Sequence, residues 1–164
     1  ERVTSPQIAY QMVSMLQGVV QRGTAWRARA IGRPLGAKTG TTNDYIDAWL
    51  MGFSPEYAVG VWVGFDKPAP MGKPETGSRA AGPIWVDFMK DALEDKPVSS
   101  FEIPEGITFV RIDAETGKLP TVNSKKTILE AFRSGTEPTE EAGSLPQPKV
   151  SPQGGSETTY DGIY

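Results

Sequence analysis

KTGTTNDYIDAWLMGFSP, residues 38–55, followed by GVWVGFD at 60–66, is the stretch whose reading decides the fold. Ala48 to Phe53 and Tyr57 to Phe65 are two apolar runs separated by Ser54-Pro55-Glu56, and that spacing predicts a β-hairpin. Pro34 to Thr42 reads as a further, irregular strand, and Asn43-Asp44 as turn chemistry. The run after the hairpin turn alternates. Val59, Val61, Val63 and Phe65 point one way, and Ala58, Gly60, Trp62 and Gly64 the other. A side made mostly of small residues admits a helix backbone at close range, so both sheet faces are expected to be covered by helices.

Helices are predicted on either side of these strands. Ser5 is placed to cap the first, with Pro6 in the first helical position, where its missing N–H is not needed. Ile8, Met12, Met15, Leu16, Val19 and Val20 then recur at helical spacing, an apolar face assigned to the core, and Gly23 is placed to end the helix. A second helix is expected from about Pro83 to Leu93, with Ile84, Trp85, Phe88, Met89, Ala92 and Leu93 as its stripe. Its last turn carries Asp91, Glu94 and Asp95, which oppose the helix dipole, and local sequence offers no account of them. Ile107 to Ile112 reads as one more strand, followed by a turn at Glu115-Thr116-Gly117-Lys118. From Ser134 onward Pro, Gly, Ser and Thr fill 17 of 31 positions, too few aliphatics to offset ordering entropy, so 134–164 is expected to be a mobile acidic tail.

Composition narrows the chemistry. With no cysteine and no histidine, disulfides, thiolate nucleophiles and the usual zinc ligands are all removed. Proton transfer must then fall to Lys, Asp, Glu or Tyr. No cofactor is expected. No run of 18 or more apolar residues occurs. The chain opens at Glu1 without Met, which suggests a portion of a longer protein whose anchor or export signal would lie upstream. The overall charge of −3 is uneven: residues 134–164 carry five acids and one lysine, whereas Arg2 to Asn43 holds Arg2, Arg22, Arg27, Arg29, Arg33, Lys38 and no acid. That stretch is either a solvated basic face or a positive field that favours an anionic ligand.

Lys38-Thr39-Gly40-Thr41 carries the chemistry. Gly32 to Thr39 nearly spells a phosphate-binding loop, but such a loop needs Gly where Ala37 stands and must feed a helix. Gly40-Thr41-Thr42-Asn43 forms helices poorly, and Pro34 interrupts the cradle, so a nucleotide site is disfavoured. The alternative is a strand lying beside a serine nucleophile. Lys38 supplies positive charge and can help move protons when desolvated. Gly40 leaves room for substrate backbone, Thr39 and Thr41 offer hydroxyls to a carboxylate, and the Thr41 amide can point at a developing oxyanion. Alone, a Lys-Thr-Gly triplet is a weak signal.

Four segments in order strengthen it: residues 38–55, GVWVGFD at 60–66, TGSRAAGPIW at 76–85 and EAFRSGTEPT at 130–139. Together they resemble the transpeptidase domain of class A, bifunctional penicillin-binding proteins. The resemblance implies an α+β fold, a three-layer sandwich with a mainly antiparallel sheet flanked by helices, β-lactamase/DD-peptidase-like and present here only in part. It implies residues 1–98 as the C-terminal part of the transpeptidase domain and 99–133 as a small strand-containing extension, before the tail.

The implied activity is serine acyl transfer on D-Ala-D-Ala stem peptides of peptidoglycan, with β-lactams as acylating mimics. Lys38 takes the catalytic place in the family's third motif, and Thr39, Gly40 and Thr41 the substrate-binding places. The family's Ser-x-x-Lys and Ser-x-Asn motifs do not occur in this chain. The expected partners are therefore the N-terminal remainder of the same enzyme, stem peptides and β-lactam antibiotics, with no nucleic acid. Membrane attachment is implied only through an upstream anchor, at the periplasmic face of the bacterial inner membrane, and this chain alone is expected to be inactive. A serine β-lactamase or a monofunctional DD-peptidase fragment is the nearer rival. A non-catalytic interaction module, using the Lys67 to Glu75 loop and the tail, is the rival from another class.

Overall fold

A computed structural model of the chain describes residues 3–143. Helix α1 spans Pro6–Arg22, and Ser5 caps it by accepting a hydrogen bond from the Ile8 amide at 3.3 Å. It ends at Gly23 as expected, although not through a left-handed turn. The Gly23 amide donates to the Val19 carbonyl at 3.1 Å, and a Cβ there would stand 2.9 Å from Val19 backbone atoms. After one 3₁₀ segment at Trp26–Ile31 come β1 (Gly36–Thr41), β2 (Asp47–Phe53) and β3 (Ala58–Gly64). They form an antiparallel sheet in the order β1-β2-β3, with Lys38 opposite Met51, Gly40 opposite Trp49 and Trp49 opposite Trp62. The hairpin turn is held by Ser54, whose hydroxyl oxygen accepts from the Glu56 and Tyr57 amides.

The register places Ala37, Thr39, Leu50, Gly52, Val59 and Val61 on one face of this sheet. Helix α2 (Gly82–Leu93) packs there. Trp85, Met89 and Leu93 are buried against Ala37, Leu50 and Val20 in a single cluster. The Trp85 indole N–H donates to the Val59 carbonyl at 3.1 Å. Its ring fills the space over Gly52, where an added Cβ would come within 2.5 Å of Cζ2. Arg33 closes the end of α2: its guanidinium donates to the carbonyls of Leu93, Lys96 and Pro97 at 2.6, 2.7 and 3.1 Å. A cation from 60 residues earlier thus satisfies carbonyls at the helix end.

Two expectations about burial are corrected. The opposite sheet face, expected under a helix, leaves Trp49 43 %, Met51 53 % and Trp62 44 % exposed among the described residues. Likewise Ile8, Met12 and Met15 of α1 and Ile84 and Phe88 of α2 are exposed rather than core. The helices meet their sheets through narrower stripes than periodicity implied. On α1 the buried positions are Tyr10, Gly18 and Val20.

A second sheet pairs β4 (Ile107–Asp113) with β5 (Thr127–Arg133), antiparallel from Ile107 opposite Arg133 to Asp113 opposite Thr127. β5 escaped the sequence reading because Ile128, Leu129, Ala131 and Phe132 put apolar groups on both faces and leave no period-2 signature. Helix α1 joins the sheets. Gln11 donates to the Ala131 carbonyl at 3.2 Å, Tyr10 meets Phe109 edge-on at 6.1 Å, and Arg22 pairs with Glu130. Burial pushes the Tyr10 phenol pKa up.

The expected mobile tail divides. Residues 134–143 are held, with the Ser134 amide donating to the Gly106 carbonyl at 2.9 Å, the Ala142 amide to the Leu119 carbonyl at 2.8 Å, and Lys118 pairing with Glu140. The rest of that expectation, 144–164, lies outside the described residues.

Candidate functional site

Strand β1 carries Lys38, Thr39, Gly40 and Thr41 along the edge of the three-stranded sheet. The Thr42 amide donates to the Asp47 carbonyl at 3.1 Å, which orients Thr42 toward β2. Backbone groups alternate along a strand, so the N–H and C=O groups of Thr39 and Thr41 face away from β2, along an edge that no described strand pairs. Lys38 Nζ donates to the Thr39 carbonyl oxygen at 2.6 Å, which places the ammonium at the same edge. One cation, an outward amide at Thr41 and an outward amide and carbonyl at Thr39 therefore lie within the four residues 38–41. An open edge of this kind can receive an extended peptide by main-chain hydrogen bonds.

The two threonine side chains lean to the packed face and are held there. Thr39 Oγ1 is 2.7 Å from Thr24 Oγ1, in the turn after α1. Thr41 Oγ1 accepts from the Gly77 amide at 3.0 Å, and the Ser78 hydroxyl donates to the Thr24 carbonyl at 2.7 Å. Gly77 opens a one-turn π-helical segment, Gly77–Ala81, that leads into α2. It lies so close to the paired Gly40 and Trp49 that a Cβ would stand 2.2 Å from the Trp49 oxygen and 2.5 Å from the Gly40 oxygen. Thr24 and Ser78 carried no local signal as site residues, since Thr24 follows a helix end and Ser78 stands in a loop. Only the third dimension brings them to β1.

The strand leads into a tight turn at Asn43–Tyr45 in which Asp44 and Tyr45 both have positive φ, 59° and 57°. The Tyr45 carbonyl accepts from the Met71 amide at 3.0 Å, tying the Pro/Gly-rich loop to the end of the strand. A separate hollow, lined by Asp113, Thr116, Thr121 and Ser124, lies on the second sheet and not beside Lys38. Asp113 is buried there with its carboxylate already engaged by the Thr116 hydroxyl and the Glu115 and Thr116 amides. Hydrogen bonds from Ser124 and Thr116 hold its carboxyl below the usual carboxylate range. Among the described residues no group of His, Cys, Asp or Glu is arranged to hold a metal ion.

Comparison with known proteins bears on this geometry. The sequence family described as "Penicillin-binding protein 1A, C-terminal domain" matches residues 103–145. Penicillin-binding protein 1A of Rickettsia conorii is 42 % identical over 132 residues, which is 80 % of this chain and 16 % of that protein. Its counterpart from Pseudomonas aeruginosa is 43 % identical over 139 residues, 84 % of this chain and 17 % of that one. The crystal structure of penicillin-binding protein 1A from Haemophilus influenzae superposes with a TM-score of 0.75 at 36 % identity, over 86 % of this chain and 22 % of that one.

The chain belongs to the class A penicillin-binding proteins.

It corresponds to their C-terminal part and spans about a sixth of the length of the relatives it matches. The mixed helical and antiparallel architecture is that of the family. Among the described residues no helix is long and apolar enough to cross a membrane.

Proposed function

We propose that this chain is the C-terminal part of a peptidoglycan D,D-transpeptidase and supplies the substrate-binding strand of its active site. The observation that carries the reading is the edge of β1 left unpaired among the described residues, where the Lys38 ammonium sits on the Thr39 carbonyl and the Thr41 amide turns to the same side. A D-Ala-D-Ala stem peptide lies along that edge as an added strand. Lys38 attracts its carboxylate and assists proton transfer, Thr39 and Thr41 offer hydroxyls to the same carboxylate, and Gly40 keeps the strand surface clear. The nucleophile is a serine in the N-terminal remainder of the enzyme.

The serine oxygen attacks the carbonyl of the penultimate D-Ala while a base takes its proton. The Thr41 amide stabilises the oxyanion, and the amide bond breaks as the departing D-Ala nitrogen is protonated. An amine from a neighbouring stem peptide then attacks the acyl ester, forming the cross-link and returning the serine. β-Lactams acylate the same serine and stop there.

Residues 1–98 serve the transpeptidase domain and 99–133 a small extension. The exposed Trp49, Met51 and Trp62 face receives the remainder as the third layer of the sandwich. The same remainder carries the glycosyltransferase domain and the anchor that holds the enzyme at the periplasmic face of the inner membrane.

Fluorescent penicillin tests this. In the intact protein, nicked upstream of Glu1 and separated under denaturing conditions, the label is expected on the N-terminal piece and none on this chain. Lys38→Ala should slow labelling at least about a hundredfold in a folded protein, the scale of one electrostatic contact in an active site. Unchanged labelling in that variant removes Lys38 from the site.

A further inference from the structure

We infer that Thr24 is a positioning residue for the anion-binding hydroxyls of β1: it donates its own hydroxyl proton to Thr39 and so frees the Thr39 proton for the substrate carboxylate. The inference rests on the proposed role of β1 and deepens it.

A carboxylate only accepts hydrogen bonds, so a threonine that binds one must spend its single O–H proton on it. The threonine oxygen then needs a donor of its own on the protein side. Both hydroxyls of the strand have one. Thr41 Oγ1 accepts from the Gly77 amide at 3.0 Å, a direction fixed by chemistry, since an amide N–H can only donate. Thr39 Oγ1 lies 2.7 Å from Thr24 Oγ1, where either oxygen can supply the proton. An anion at Thr39 settles the direction as Thr24 to Thr39 to carboxylate, and a chain of hydrogen bonds in one sense polarises each member.

Thr24 is itself fixed from behind, because the Ser78 hydroxyl donates to its backbone carbonyl at 2.7 Å. Gly77 and Ser78 are neighbours, so one short turn supports both hydroxyls of β1. Its approach is set by Gly77, which fits over Gly40 and Trp49 only without a side chain. Thr24 is exposed, so replacing it does not disturb the buried cluster.

Thr24→Val keeps the shape and removes the hydroxyl, whereas Thr24→Ser keeps the hydroxyl. Acylation of the intact protein is measured with benzylpenicillin and with its methyl ester, which lacks the carboxylate. For benzylpenicillin the second-order rate constant should fall about three- to tenfold in Thr24→Val, the effect of one hydrogen bond, and stay near wild type in Thr24→Ser. The loss should appear in the half-saturating concentration rather than the limiting rate. For the ester the two variants and wild type should agree.

Equal losses with both ligands would mark Thr24 as a merely structural residue and overturn the proposal. No loss with either, or a loss that persists in a Thr39→Val background, overturns it as well. If wild type fails to acylate at all, the transpeptidase reading itself falls, an outcome plainly distinct from these.

Discussion

At Gly77 the nearest atoms to an added Cβ are backbone oxygens of Trp49 and Gly40, 2.2 and 2.5 Å away, and neither can rotate aside. Gly77→Ala must therefore push the turn off the strand. An overpacking cost of about 1–3 kcal/mol is expected, read as a lower denaturation midpoint. Because the displaced amide is the donor to Thr41, penicillin acylation should slow in the same variant. A variant with wild-type stability and rate would mean that the turn does not bear on β1. The contrast with Gly23 is instructive. Both glycines permit close approach, but Gly23 was readable as a helix end from sequence, whereas Gly77 stands in a loop whose neighbour is set by the fold.

Asp113 illustrates how a buried carboxylate ties one element together. Its pKa is lowered in the folded state by Ser124 and Thr116, and those of Glu137 and Glu140 on the same part of the molecule are lowered too. A folded pKa below the unfolded value contributes stability that is complete above the unfolded pKa, about 3.9 for Asp. It is lost as the pH falls through the folded value. Acidification from pH 7 to pH 3 should loosen the β4–β5 hairpin before the three-stranded sheet, seen as earlier amide exchange in 107–133. Uniform exchange across both sheets would contradict this.

The first sheet depends instead on Trp85. It is fully buried with its N–H satisfied, so Trp85→Ala should cost about 3–5 kcal/mol, whereas Ile84→Ala, at an exposed position, should cost far less. Elements with clean periodicity were legible in advance: α1, α2, β2, β3 and β4 fall within a residue or two of their expected ends. β5 was not, because its apolar residues face both ways.

For the whole molecule, the consequential surface is the one left open. Trp49 and Trp62 lie 6.4 Å apart between centroids, tilted at 45°, on a sheet face with no described neighbour, and Met51 extends it. Exposed apolar area of this kind drives association. The chain prepared alone should self-associate with concentration in sedimentation experiments, and joining it to its N-terminal remainder should abolish that. Trp49→Ser with Trp62→Ser should weaken self-association in the isolated chain. A monodisperse isolated chain would remove the reason for placing a third layer there.

Sequence by itself determined the helices and most strands, because hydrophobic period and caps are local properties that Ser5, Gly23 and the Val59–Val63 alternation already express. It also determined the order Lys38-Thr39-Gly40-Thr41 and, by lacking Cys and His, the kind of proton chemistry left to the chain. Only the tertiary structure decided which of those residues have company. Thr24 and Gly77 reach β1 across 15 and 36 residues, and Arg33 reaches the end of α2 across 60. Such pairings depend on how helices and strands pack, and side-chain chemistry at one position carries no information about which distant backbone will arrive beside it.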